Sequence, residues 1–139
     1  MNTKVIFSIL GATITGFFAG WLIFGIILSG YYKSQTIFYA GLEREEPFMW
    51  AIILMNLSWA SMLVYIFHNW AGIKTFMKGC IAGLTIVFFV TFGFDFSMYG
   101  FMNLMSFQSI IVDIIANTVL GGLVGGVAGF ILGFERKSS

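Results

Sequence analysis

Charge is what this chain has least of. Of its 139 residues, 7 are Lys or Arg and 6 are Asp or Glu, or 9% in all. An ordinary soluble domain carries about 25% charged residues. Here 59% of the side chains are hydrophobic and 19% aromatic, and so few charges cannot cover that much apolar mass in water. The same numbers exclude intrinsic disorder. A single cysteine, Cys80, excludes a disulfide framework. The net charge of +1 provides no field that would gather nucleic acid. His68 is the only histidine and has no nearby second histidine or cysteine, so no metal site is expected. No nucleophile stands beside a base, and the glycines fall inside apolar runs rather than in a phosphate-binding loop before a soluble helix. No catalytic residue and no cofactor is expected, and the reading is not that of an enzyme.

What is present is a set of long uncharged runs. About 20 apolar residues cross a hydrocarbon core roughly 30 Å thick. Residues 5–32 and 47–73 are each long enough. Residues 79–94 are short, but Lys78 can snorkel to the headgroups. Residues 114–134 complete the set. The expectation is an all-α, single-domain bundle of four transmembrane helices, at about 5–30, 47–68, 75–97 and 109–134, embedded in a lipid bilayer. A closed β-barrel is the other spanning solution, but the polar–apolar alternation it needs is missing. The first apolar run is too long for a signal-peptide core and reads as a retained helix.

Basic residues orient the bundle. Lys4, Lys74, Lys78, Arg136 and Lys137 fall on one side, and Lys33 and Arg44 on the other. That asymmetry places both termini in the cytoplasm. The loop at 31–46 then lies outside. It ends in Glu43-Arg44-Glu45-Glu46 before Pro47, which suits the first turn of the second helix. The glutamates suit the positive helix start; the alternative is a rim that captures substrate. The other outer loop, about 98–108, is rich in Met and Phe.

Two patterns concern packing. Asp113, Asn117, Gly121, Gly125, Gly129 and Gly133 recur every four residues along the fourth span. Lipid tails give helices no hydrophobic reason to associate, and small residues let backbones approach closely enough for dispersion to do so. Gly16 and Gly20 form a shorter ridge on the first span. The ridge could pack within the chain or against a second copy or another membrane protein. Separately, Phe24-Gly25-x-x-x-Ser29-x-Tyr31 matches Phe92-Gly93-x-x-x-Ser97-x-Tyr99, as a duplicated two-helix unit would.

The intramembrane polar groups collect at one depth. At ~1.5 Å per residue, Asn56, Asn117 and Trp21 lie about 12–13 Å below the outer ends of their helices. Thr91 lies one turn from Asp95. Asp95 and Asp113 are shallower, on the order of 3–6 Å from their helix ends. Asp113 and Asn117 share a face, as do Thr91 and Asp95. If the faces meet, Asp95, Asp113, Asn117, Asn56, Thr91 and Trp21 line an outward-facing polar cavity that suits binding or permeation of a small solute or ion. The plainer alternative is that the acids sit at headgroup level and the amides only join helices. The accompanying alternative function is a non-catalytic accessory protein that packs on a partner through its glycine ridge.

The stretches GFFAGWLIFGIILSGYY, NLSWASMLVYIFHNWAGIKTF, FDFSMYGFMNL and VDIIANTVLGGLVGGVAGFILG resemble a family of small four-helix bacterial membrane proteins of unknown function. The resemblance spans nearly the whole chain and implies a bacterial inner-membrane location, with no activity to carry over. The first-helix glutamate of small multidrug exporters is missing, and the motifs of fluoride channels do not match.

The orientation is testable by cysteine labelling of intact cells after Cys80 is replaced. A cysteine placed in 31–46 is expected to react with an impermeant reagent and one in 69–73 to be protected; the reverse pattern inverts the topology.

Overall fold

In the computed structural model, residues 2–134 are described. Helix α1 (Thr3–Gly20) runs into a π-helical segment, Trp21–Ile27, and then a short helix α2 (Ser29–Gln35). Helix α3 (Met49–Ile66) ends in a second π-helical segment, Phe67–Ala71. Helices α4 (Phe76–Phe101) and α5 (Phe107–Leu132) are unbroken. Four units are long and apolar enough to cross a membrane: Thr3–Ile27, Met49–Ala71, Phe76–Phe101 and Phe107–Leu132. The expected spans thus hold within a few residues. The third helix runs further than expected, to Phe101, and shortens the loop that follows.

The ends of these helices have local causes. The Asn2, Thr75 and Ser106 side chains accept backbone N–H bonds from Lys4, Lys78 and Ser109, which supplies partners for otherwise orphaned donors. Gly72, at φ 58°, takes the left-handed conformation that stops the second span. The chain can therefore reverse within residues 72–75.

Helix α5 is the centre of the bundle. Helix α4 packs along one side of it and α1 along another, and α3 lies on α1 and touches α5. We call the end carrying residues 2 and 134 the terminal end and the opposite one the distal end. The core is at the terminal end. It joins Ala12 of α1, Ala60, Leu63 and Val64 of α3, the adjoining Phe67, and Val124, Ala128 and Leu132 of α5. A buried hydrogen bond crosses it, from Ser8 Oγ to the Ala128 carbonyl at 2.9 Å. Aromatic and branched side chains cover the outward faces of all four long helices. That arrangement fits a hydrocarbon surrounding.

The glycine ridge of α5 is spent inside the chain. A Cβ at Gly125 would strike the Gly79 carbonyl oxygen and come within 2.9 Å of Gly83 Cα. One at Gly121 would strike Val87, and those at Gly129 and Gly133 would strike the Thr75 and Lys74 carbonyl oxygens. Opposing Gly79 and Gly83 on α4 are equally close to the Gly125 and Gly121 carbonyls. The Gly16 and Gly20 ridge faces elsewhere. A Cβ at Gly16 would come 2.8 Å from Asn56 Oδ1, and one at Gly20 would lie 3.6 Å from Leu120 Cδ2.

The matching Gly25 and Gly93 segments differ in conformation. Gly25 lies in a π-helical stretch and Gly93 in a regular α-helix. The two asparagines behave alike: Asn56 and Asn117 each donate to the carbonyl four residues earlier, both at 3.0 Å.

Backbone contact across the seam leaves no room for a side chain. Gly125→Leu is expected to force α4 and α5 apart and cost about 1–3 kcal/mol through overpacking and lost dispersion. Gly93→Leu, at a site with open space around it, serves as the control. Thermal unfolding in detergent measures both, and equal melting temperatures would remove the seam as a source of stability.

Candidate functional site: a membrane cavity beside a carboxyl pair

Toward the distal end the helices part. A cavity of about 640 Å³ opens between α1 with its π segment, α3, α4 and α5. Leu63 and Ala12 are among its walls at the core end, and Pro47 and Gly25 near the distal end. From Leu63 to Pro47 is about 24 Å of helical rise. Most of the lining is apolar. Four of the six residues expected from sequence meet it: Trp21, Asn56, Thr91 and Asn117.

Each of those four is held by a local feature. The Trp21 indole lies back over Gly25, where a Cβ would be 3.1 Å from its ring. Glycine at 25 thus gives the indole its place. Asn56 donates Nδ2 to its own helix and turns Oδ1 toward α1, over Gly16. Thr91 is buried on the α4 face that also carries Gly79, Gly83, Val87 and Asp95. Asn117 donates Nδ2 to both the backbone carbonyl and Oδ2 of Asp113, each at 3.0 Å. The residue also forms part of the cavity wall.

Asp95 and Asp113 are not in the lining. They stand next to it, joined through Asn117. The Asp95 carboxyl neighbours that of Asp113 across the α4–α5 seam. Asp113 is well supplied with donors. Besides Asn117 it accepts 2.6 Å from the Tyr32 hydroxyl at Oδ1. Asp95 is only 7% exposed, and its Oδ2 has no hydrogen-bond partner. Burial, and then the hydrogen bond and charge of Asp113, hold the Tyr32 phenol well above its ordinary range, so it remains a proton donor.

The register of α4 against α5 explains the meeting. Gly79 opposes Gly125, and Gly83 opposes Gly121. Moving toward the distal end in steps of four brings Thr91 opposite Asp113 and Asp95 opposite Ser109. One seam is therefore glycine at the terminal end and polar at the distal end.

Sequence reasoning missed three participants. Tyr32 comes from α2, which was read as part of an outer loop. Tyr31 packs edge-on against it, with ring centroids 6.0 Å apart. Ser109 is completely buried in the first turn of α5. The signal available for Ser109 was its four-residue spacing before Asp113. For the tyrosines there was none beyond their place after the first span.

The segments joining the helices are tied over this end. Ile37 N–H donates to the Leu104 carbonyl at 2.9 Å, Tyr39 Oη to the Asn103 carbonyl at 2.7 Å, and Ser106 Oγ to Gln35 Oε1 at 2.8 Å. Residues 36 and 105 form an antiparallel bridge. These bonds fix α2, and so Tyr32, above the α4–α5 hairpin.

No protein-family model, curated protein or solved structure matches this chain.

The Tyr32–Asp113 bond has one charged partner when the acid is ionised, a class worth about 1.5–3 kcal/mol. A double-mutant cycle of Tyr32→Phe and Asp113→Asn is expected to give a coupling of ~0.5–3 kcal/mol in detergent unfolding. A coupling of zero would mean that the two side chains do not meet.

Proposed function

We propose that this chain is a multi-pass membrane protein that binds a small solute or ion, or lets it through, by way of the distal cavity. The four long apolar helices support the membrane setting. The observation that carries the functional reading is a cavity between spanning helices, with Asn56, Thr91 and Asn117 reaching into it and a carboxyl pair joined to its wall through Asn117. Ionisable groups inside a span are costly and are kept where they face water, a partner or a ligand. Predominantly apolar walls with a few convergent polar groups are the usual composition of a ligand site.

In this reading the distal end faces outward, both termini lie in the cytoplasm, and the membrane is the bacterial inner membrane. The charge asymmetry of the loops supports the first two points, and the sequence resemblance supports the third. Asp113 carries the charge that a cationic solute or proton would meet. Asn117 links it to the cavity, and Trp21 and Asn56 shape the opposite wall. The alternative reading, an accessory protein docking through its glycine ridge, has lost that surface to α4. A membrane partner or second copy would have to use another face.

The test is flux into proteoliposomes, with pyranine reporting protons, isotopes reporting alkali cations, and tetraphenylphosphonium as a small organic cation. At least one species is expected to move faster than through protein-free vesicles. Asp113→Asn should abolish that movement. Gly20→Leu should do so as well by filling the cavity, since a Cβ at Gly20 has only ordinary contact with Leu120. Flux that is indistinguishable from that of empty vesicles for every species, or is unaltered in both variants, would overturn the reading.

A further inference from the structure

Three buried side-chain polar atoms among the described residues have no hydrogen-bond partner: Tyr31 Oη, Asp95 Oδ2 and Ser109 Oγ. Native proteins rarely bury such atoms without a partner, and each exception calls for one. All three are oxygens, and all three are at the distal end. They come from three elements, α2, α4 and α5, yet chance scatter would not gather them at one end of the bundle.

Their placement is specific. Ser109 is completely buried and Asp95 is 7% exposed. The glycine register sets Asp95 across the α4–α5 seam from Ser109. Asp113, one turn beyond Ser109 on α5, neighbours the Asp95 carboxyl. Tyr31 adjoins Tyr32, whose hydroxyl is bonded to Asp113. The hydrogen-bond donors that reach Asp113, Tyr32 and Asn117, are neutral. They orient its carboxylate without cancelling its charge. The dipoles of α4 and α5 end side by side here with opposite sign and offset one another. The two carboxyl groups therefore decide the local field, and that field demands positive charge.

From this cluster we propose a site for one hard metal cation, alkali or alkaline-earth, held by Asp95 Oδ2, the Asp113 carboxylate, Ser109 Oγ and Tyr31 Oη. Oxygen-only donors with two carboxylates select such ions, whereas softer metals prefer nitrogen and sulfur. The cation supplies the partner that all three orphaned oxygens lack. It also explains how the buried Asp95 can stand beside a second, half-buried acid, since unpaired buried charge is otherwise strongly destabilising. The site deepens the reading of the cavity as a solute or ion path, but it does not require transport: an ion that stays bound would serve as well.

The experiment is thermal unfolding of the full chain in detergent. NaCl, LiCl, KCl, MgCl2 and CaCl2 are titrated against N-methylglucamine chloride at constant ionic strength and pH. At least one metal salt is expected to raise the melting temperature with saturation, as a ligand specific for the folded state does. Asp95→Asn should remove the response. Ser109→Ala, a milder change that keeps the carboxyl pair, should weaken the apparent affinity roughly 10-fold or more, and it carries the test if Asp95→Asn fails to fold. Gln108→Ala, exposed on the same helical turn, should leave the response as it is.

A flat response to all five salts would overturn the site. So would a response that persists in Asp95→Asn or is unaffected in Ser109→Ala. A stability that follows pH but no metal would place a proton between the acids and overturn it too. Metal-dependent stability without flux keeps the site and removes the transport reading. Flux without metal-dependent stability does the opposite.

Discussion

The rest of this structure depends on backbone-to-backbone contact between α4 and α5. In lipid, burying apolar side chains gives helices little reason to associate, because the solvent is equally apolar. Dispersion between closely approaching main chains has to supply the attraction. Glycines at 79 and 83 on α4, at 121, 125 and 129 on α5 and at 133 just past its end allow it, because any Cβ there would strike a backbone carbonyl or a neighbouring side chain. That contact fixes the register of the two helices. The register in turn decides which polar residues meet further along the seam. Asp95 comes to lie opposite Ser109, within one turn of Asp113, because Gly83 and Gly121 cannot slide.

The fold was largely legible in the sequence, because the physics that sets it is one-dimensional. A span must be long and uncharged, and four runs satisfied that condition. The polar depth was also legible, since rise per residue converts position directly into depth. That is why Trp21, Asn56, Thr91 and Asn117 could be expected around one space. What stayed hidden required a second dimension. The π-helical turn at Trp21–Ile27 has no proline or charge to announce it. Tyr32 reaches Asp113 across 81 residues of sequence, and the tie depends on bonds between two loops that no periodicity encodes. Nor did spacing tell whether the glycine ridge served this chain or another. The opposing glycines of α4 decide that, and only their alignment with α5 reveals it.

The carboxyl pair and the cavity are thus products of two different constraints. The pair follows from the tight seam. The cavity follows from its opposite: α3 joins the bundle through Ala60, Leu63, Val64 and Phe67 at the terminal end, while its other half carries Asn56 and the bulky Met49, Met55 and Trp59 along an open space. Tight packing at one end and loose packing at the other give a membrane protein both a fixed reference and room for a guest. Asn117 belongs to both regions, with its amide nitrogen bound to the acid and the residue itself in the cavity wall.

The central place of α5 has a consequence for how the bundle is made. A ribosome delivers the helices in order, and α5 follows the four it is to join. Before it emerges, α1 has only α3 to lean on, the acceptor for Ser8 does not yet exist, and α4 has no surface for its glycines. The α4–α5 hairpin can zip as soon as its second arm enters the bilayer, since its two arms are adjacent in sequence and joined by a short turn. The bond between Ser8 and Ala128 spans 120 residues and closes the assembly afterward. The membrane must therefore hold a loosely joined α1–α3 pair and an unpartnered α4 until α5 locks them together.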